Sequence, residues 1–170
     1  LPVGEAGEII TAGVHLMQGY WDRPDETAHA LREMDGKIWM YTGDVGMMDA
    51  DGYVYLCDRA KDMLIVGGYK VFSLEVEDVV RDLSFVAAAA LIGTPDHDRP
   101  GNDIVNLFIQ VKPDHSFPGE SALIAAVSAH CRQNLAPYKV PKRIVVVPAL
   151  PLTAVGKLNK VELRILANEM

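Results

Sequence analysis

The chain has 170 residues, 49% of them hydrophobic, with 16 basic and 23 acidic residues and a formal net charge of −7. That length holds one ordinary domain, or a small domain with part of another, and the apolar fraction supports a sizeable core. The acidic balance excludes a basic footprint for nucleic acid or an anionic membrane, so any phosphate contact must come from individual side chains.

No apolar run approaches the roughly 20 residues that a membrane helix requires. Leu1-Pro2-Val3-Gly4-Glu5 has neither the basic start nor the apolar centre of a signal peptide, and a cytoplasmic location is expected. A start without methionine, inside a Gly-rich strand-like stretch, leads us to expect a fragment of a longer chain. Cys57 and Cys131 lie far apart in apolar segments and read as free, buried thiols of a reducing compartment. The five histidines, His15, His29, His97, His115 and His130, show no ligand spacing, so no metal is assigned to this chain.

In chain order, Gly7 to Gly13 predicts a short strand bounded by glycines. Pro24 to Leu31 predicts a short helix with Asp25 and Glu26 in its first turn, where acids complement the helix dipole. Asp35-Gly36 and Asp51-Gly52 are turn signals, and Lys37 to Tyr41 and Tyr53 to Cys57 have strand composition. After Asp58 the character changes. Met63 to Val66 is a compact apolar strand, and Gly67-Gly68 after it permits a tight turn or close approach of a ligand to the backbone. Ser73 stands where it can cap a helix carrying Val76, Val79, Val80 and Leu83 on one face. Phe85 to Ile92 and Ile104 to Val111 read as buried strands, and Gly119 to Leu135 as a helix with Leu123, Val127 and Cys131 on one stripe. Arg143 to Val147 is a further strand and Leu158 to Ala167 a last helix. The pattern predicts an α+β fold: small sheets packed with about three helices over residues 59–170, preceded by a β-rich region over residues 1–58.

Three segments carry chemistry. Tyr41-Thr42-Gly43-Asp44 puts a carboxylate after a glycine at the end of a strand, where it can accept two hydrogen bonds from vicinal ribose hydroxyls or cap a turn through its own backbone. Asp58-Arg59-Ala60-Lys61-Asp62 alternates charge at the boundary between the two regions. It reads either as a solvated link or as a hinge whose charged residues change partners. Pro151 to Lys157 ends on Gly156-Lys157, a compact cation beside a flexible residue, suited to reach a developing phosphate charge and later withdraw. By itself that dipeptide reads as an exposed lysine in a solvated turn, and the functional reading rests on the segments that precede it.

In order, Gly7-Glu8-Ile9-Ile10, Gly19-Tyr20-Trp21 with Pro24 and Thr27, Tyr41 to Asp44, Asp51-Gly52-Tyr53, Asp58 to Asp62, Gly68-Tyr69-Lys70-Val71 with Glu75 and Glu77, Leu135 to Pro141 and Thr153 to Lys157 follow the spacing of one family. The chain resembles the C-terminal part of an acyl-CoA synthetase of the adenylate-forming, AMP-binding superfamily, over almost its whole length. The resemblance implies ATP-dependent activation of a carboxylic acid, of fatty-acid type, as acyl-adenylate, followed by transfer to coenzyme A. It implies Asp44 on the ribose hydroxyls, Arg59 beside the same sugar and phosphate, Lys61 at a hinge, Gly67 and Gly68 at the pantetheine channel, and Lys157 as the catalytic lysine of the first half-reaction. The mobile C-terminal domain would then be preceded by the last strands of the large domain.

ATP, coenzyme A and Mg2+ are implied for the full-length enzyme, with the magnesium ligand, phosphate loop and acyl tunnel upstream of this segment. The implied partner is the N-terminal large domain of the same polypeptide, and the chain alone is expected to be inactive. Lys139, Lys142 and Arg143 form a basic cluster that is either a solvated edge or a contact for coenzyme A phosphates. Lys160 stands where the family commonly has arginine and is read as a surface difference without catalytic consequence. An adenylation domain that loads a carrier protein, and a non-catalytic interaction module, are the alternatives.

Overall fold

The computed structural model describes residues 1–115 and 117–169 and divides into two compact units, Leu1–Lys61 and Asp62–Met170. The division falls after Lys61 because Asp58, Arg59 and Ala60 are still bonded into the first sheet. Asp58 and Arg59 pair with Val45 and Asp44, and the Ala60 amide donates to the Gly43 carbonyl at 2.8 Å.

The first unit is a four-stranded antiparallel sheet with one short helix. Its elements are β1 (Gly7–Thr11), α1 (Pro24–Ala30), β2 (Leu31–Met34), β3 (Lys37–Met48) and β4 (Val54–Arg59). The twelve-residue β3 is central: β1 lies along one side, while the other side is shared by β2 up to Met40 and β4 from Asp44 onward. β2 is an element that local reading missed, since Leu31-Arg32-Glu33-Met34 is rich in helix formers; the Asp35-Gly36 turn and pairing with Lys37 to Met40 override that preference. Among the described residues of this unit, Val45 is the one buried large apolar side chain.

The second unit is built around a three-stranded sheet. A hairpin of β5 (Leu64–Val66) and β6 (Tyr69–Val71) leads into α2 (Ser73–Arg81), then β7 (Val86–Pro95), β8 (Asp103–Val111), α3 (Glu120–Asn134), a single 3-10 turn over Pro137–Lys139, β9 (Arg143–Val146) and α4 (Lys160–Asn168). β7 and β8 are antiparallel, and β8 and β9 are parallel. The apolar runs of β7 and β8 are continuous because both faces of this sheet are covered. Leu91, Leu107 and Ile109 meet Val76 and Val80 of α2 and Leu123, Val127 and Cys131 of α3. Ala90, Ile92 and Phe108, one residue out of phase, meet Leu163 and Ala167 of α4 together with Leu150. The strand period of two thus sorts one run of residues into two cores.

The Gly67-Gly68 pair makes the β5–β6 turn with φ of 60° and 82°, a left-handed geometry that residues with a Cβ rarely adopt. Ser73 does not cap α2. It is the first helical residue, preceded by Phe72, and its hydroxyl is instead a partner of Lys160.

Candidate functional site

In the first unit the structure brings Asp44 and Arg59 together as cross-strand partners of β3 and β4. Arg59 Nε donates to Asp44 Oδ1 at 3.1 Å, with the two side chains 59% and 34% exposed. The local backbone explains how Asp44 comes to face its neighbour. Gly43 has φ of 73°, and its amide leaves the ladder to bond the Glu8 carboxylate at 3.0 Å. Thr42 Oγ1 donates to the Ile9 carbonyl at 2.8 Å and accepts the Asp44 amide at 3.1 Å. Glu8 of β1 thus fixes Gly43, and Thr42 of β3, anchored on Ile9 of β1, fixes Asp44, while the ladder shifts register between Val45 and Gly46 on the β4 side. Asp58, itself buried, accepts the Arg59 amide at 2.7 Å and so fixes the backbone on which Arg59 stands. The result is a half-exposed carboxylate oriented by a guanidinium through Oδ1, leaving Oδ2 able to accept hydrogen bonds from a ligand. Lys61 is the last, exposed residue of this unit.

The other predicted residues belong to the second unit. Gly67 and Gly68 are exposed at the tip of the β5–β6 hairpin, which is tethered to the start of β8: the Gly67 amide donates to Asn102 Oδ1 at 2.6 Å and the Ile65 amide to Asp103 Oδ2 at 2.8 Å. Tyr69, just beyond, stacks on Tyr138 with ring centroids 4.8 Å apart.

Lys157 lies in a closed turn between β9 and α4. The Thr153 amide donates to the Lys157 carbonyl at 2.6 Å, the Lys157 amide to Thr153 Oγ1 at 3.1 Å, and the Gly156 amide to the Thr153 carbonyl at 2.8 Å. An antiparallel bridge between Leu152 and Leu158 closes the base, while Gly156 takes φ of 77°. Lys157 is exposed, and among the described residues nothing holds its ammonium.

Several charged residues that the sequence left at the surface are engaged. Lys160 is no surface residue: its side chain is 13% exposed, and its ammonium lies 2.7 Å from Glu77 Oε1 and 2.6 Å from Ser73 Oγ. Glu77 is 5% exposed at its side chain and also accepts the Leu91 amide at 2.8 Å. The sequence signal that could have found this cluster is Ser73 and Glu77 at helical spacing beside the buried Val76–Val80 stripe, a position where an acid needs a partner. Arg164 pairs with Asp62 at 2.6 Å, Lys139 with Glu75 at 2.6 Å and Lys142 with Asp96 at 3.5 Å.

Cys57 and Cys131 are both free thiols, Cys57 half-buried and Cys131 buried, and burial pushes the Cys131 thiol up to about 11. Among the described residues no group of three or more His, Cys, Asp or Glu could hold a metal ion. No described helix is long and apolar enough to cross a membrane.

Residues 75–157 match the AMP-binding enzyme C-terminal domain. The chain is 39% identical over 161 residues to the medium/long-chain-fatty-acid–CoA ligase FadD8 of Mycobacterium tuberculosis, covering 95% of this chain and 28% of that protein. Among solved structures it is similar to the anthranilate CoA ligase AuaEII in complex with anthranoyl-AMP, with a TM-score of 0.84 and 35% identity over 100% of this chain and 32% of that one. It is similar also to the amide bond synthetase McbA of Marinactinospora thermotolerans, with a TM-score of 0.82 and 36% identity over 98% of this chain and 32% of that one. The chain therefore spans about a third or less of the length of the proteins it matches. With its α+β second unit and this set of relatives, the chain carries the AMP-binding enzyme C-terminal domain over residues 75–157 and is similar, along nearly its whole length, to part of each of these ligases and synthetases.

Proposed function

We propose that the chain is the C-terminal part of an acid–thiol ligase that activates a carboxylic acid of fatty-acid type with ATP and transfers the acyl group to coenzyme A. The observation that carries this reading is the Asp44–Arg59 pair: a carboxylate oriented by a guanidinium, half-exposed, with one oxygen left for a ligand. A ribose presents two adjacent hydroxyl donors to such a carboxylate, and the neighbouring cation suits the phosphate attached to the same sugar. Asp44 holds the ribose and Arg59 lies beside sugar and phosphate.

Lys157 supplies charge where charge develops. When the substrate carboxylate attacks the α-phosphorus, an oxygen–phosphorus bond forms, pyrophosphate leaves, and negative charge gathers on the equatorial oxygens. An ammonium at that position stabilises this arrangement more than the ground state. An exposed turn whose ammonium has no partner among the described residues supports the assignment. Thiol attack on the adenylate needs the same space, so the second unit turns about Lys61, withdrawing Lys157 and bringing the Gly67-Gly68 turn to the pantetheine thiol. Coenzyme A is the acceptor in this reading because relatives along nearly the whole chain are named as CoA ligases. By itself the chain is expected not to exchange pyrophosphate into ATP.

The test uses the full-length protein. Lys157→Ala is expected to lower adenylate formation by about 10² or more, as loss of a charge-stabilising donor does, and to leave thioester formation from supplied acyl-adenylate largely intact. Equal loss in both steps would refute the division of labour, and an amide product in place of a thioester would overturn the acceptor.

A further inference from the structure

Lys160 and Glu77 form a buried ion pair that spans two helices, Lys160 opening α4 and Glu77 standing in the second turn of α2. The ammonium has Ser73 Oγ as a second partner at 2.6 Å, and the same Glu77 oxygen holds the Leu91 amide of β7. Desolvation offsets most of the attraction in such a pair, so stability alone gives little reason for it. Its distinctive property is geometric: two directional bonds hold the ammonium, a third from the Leu91 amide holds the Glu77 oxygen that it meets, and together they fix the first residue of α4.

Lys157 is three residues before that fixed point. Leu158 packs against the core of Ile92, Phe108 and Leu163, and the Asn159 amide donates to the Pro151 carbonyl at 2.8 Å. Asn159 then caps α4, its Oδ1 accepting the Glu162 amide at 3.3 Å. From Lys160 back to Leu158 every residue is held, and only the tip with Gly156 and Lys157 projects. One helical turn onward on the same face of α4, Arg164 is bound to Asp62, the residue that follows Lys61.

We infer that Lys160 is a positioning residue: through Glu77 and Ser73 it fixes the start of α4 and so the direction in which the turn presents Lys157. The inference rests on the role given to Lys157 above. A misplacement of about 1 Å at a reacting centre can cost on the order of 10²-fold in rate, which is why a held turn matters more here than the energy of the pair.

The experiment compares Lys160→Met, Lys160→Arg, Lys157→Ala and the double variant Lys157→Ala/Lys160→Met in the full-length protein, each half-reaction assayed separately. Lys160→Met is expected to lower kcat for adenylate formation at least about tenfold, with the KM for ATP and thioester formation from supplied adenylate within about twofold. Lys160→Arg, which keeps the charge, should recover most of the loss. In the Lys157→Ala background, Lys160→Met should have no further effect, because it acts through a side chain already removed. Equal loss in both half-reactions, an undiminished effect without Lys157, or no effect at all would overturn the positioning role. If Lys160→Met does not fold, Lys160→Met/Glu77→Gln removes the stranded carboxylate and takes its place in the same comparison. A selective Lys157→Ala with a silent Lys160→Met would overturn this inference alone, whereas a Lys157→Ala that spares adenylate formation would overturn both readings.

Discussion

Removing the Asp44 carboxylate separates binding from folding. In Asp44→Ala the Asp44–Arg59 ion pair at 3.1 Å is lost, but with side chains 34% and 59% exposed it contributes only about 0.2–1 kcal/mol. The hydrogen bond from the backbone amide of residue 44 to Thr42 Oγ1, and those of Gly43 and Thr42 to β1, do not involve the carboxylate and remain. Stability should therefore fall by no more than about 1 kcal/mol. The nucleotide loses more. A hydrogen bond to a charged group contributes roughly 1.5–3 kcal/mol, so loss of a single ribose contact raises the KM for ATP by about 10- to 150-fold, at 1.4 kcal/mol per decade. Urea denaturation and ATP-dependent pyrophosphate exchange in the full-length protein measure the two quantities. An unchanged KM for ATP would refute the ribose assignment and leave Asp44 as a partner of Arg59 only. A loss of stability well beyond 1 kcal/mol with unchanged binding would show that the carboxylate's task is structural.

Two further outcomes follow from the second unit. Leu163→Ala empties a fully buried site between α4 and the sheet, against Ile92 and Phe108, and should cost about 2–5 kcal/mol in urea denaturation; a cost under about 1 kcal/mol would mean that α4 is not seated there in solution. The Cys131 thiol, raised from 9.0 to about 11 in the folded chain, stays protonated while the unfolded chain ionises. Its contribution to stability is therefore fully present below pH 9 and is lost between about pH 9 and 11, by an amount on the order of 2–3 kcal/mol. Cys131→Ala should flatten that part of the stability curve, and a curve identical to that of the parent would refute the cause.

The β7 and β8 strands, α2 and α3 were legible because their apolar patterns survive any local reading: continuous runs for a sheet covered on both faces, and Leu123, Val127 and Cys131 on one helical stripe. β3 was legible only over its first residues. Its continuation through Thr42, Gly43 and Asp44 depends on bonds that Thr42 and Gly43 donate to Ile9 and Glu8, more than thirty residues away in sequence, and no local preference announces them. β6 was hidden for a simpler reason, since three residues carry too little pattern to declare a strand. In the candidate site, Asp44 and Arg59 were each recognisable by motif, but their contact is a matter of cross-strand register. Lys160 was misread as a surface residue because a lysine at a helix start is ordinarily solvated. Only the tertiary approach of α4 to α2 supplies the carboxylate that draws it inward.

The parallel pairing of β8 with β9 has a kinetic side. Asn106 pairs with Arg143 across a segment that contains α3, whereas β7 and β8 are joined by a short loop next to the Pro95–Asp103 pair. Closing the longer segment loses chain entropy before any β9 contact compensates for it, so this step is expected to be late. The turn that carries Lys157 lies beyond β9, and α4 rests on a sheet face formed in part by Val145 of that strand. On a ribosome, the turn with Lys157 and α4 would be the last part of this unit to take shape. A growing chain therefore presents its exposed lysine in a fixed direction only once the rest of the domain is complete.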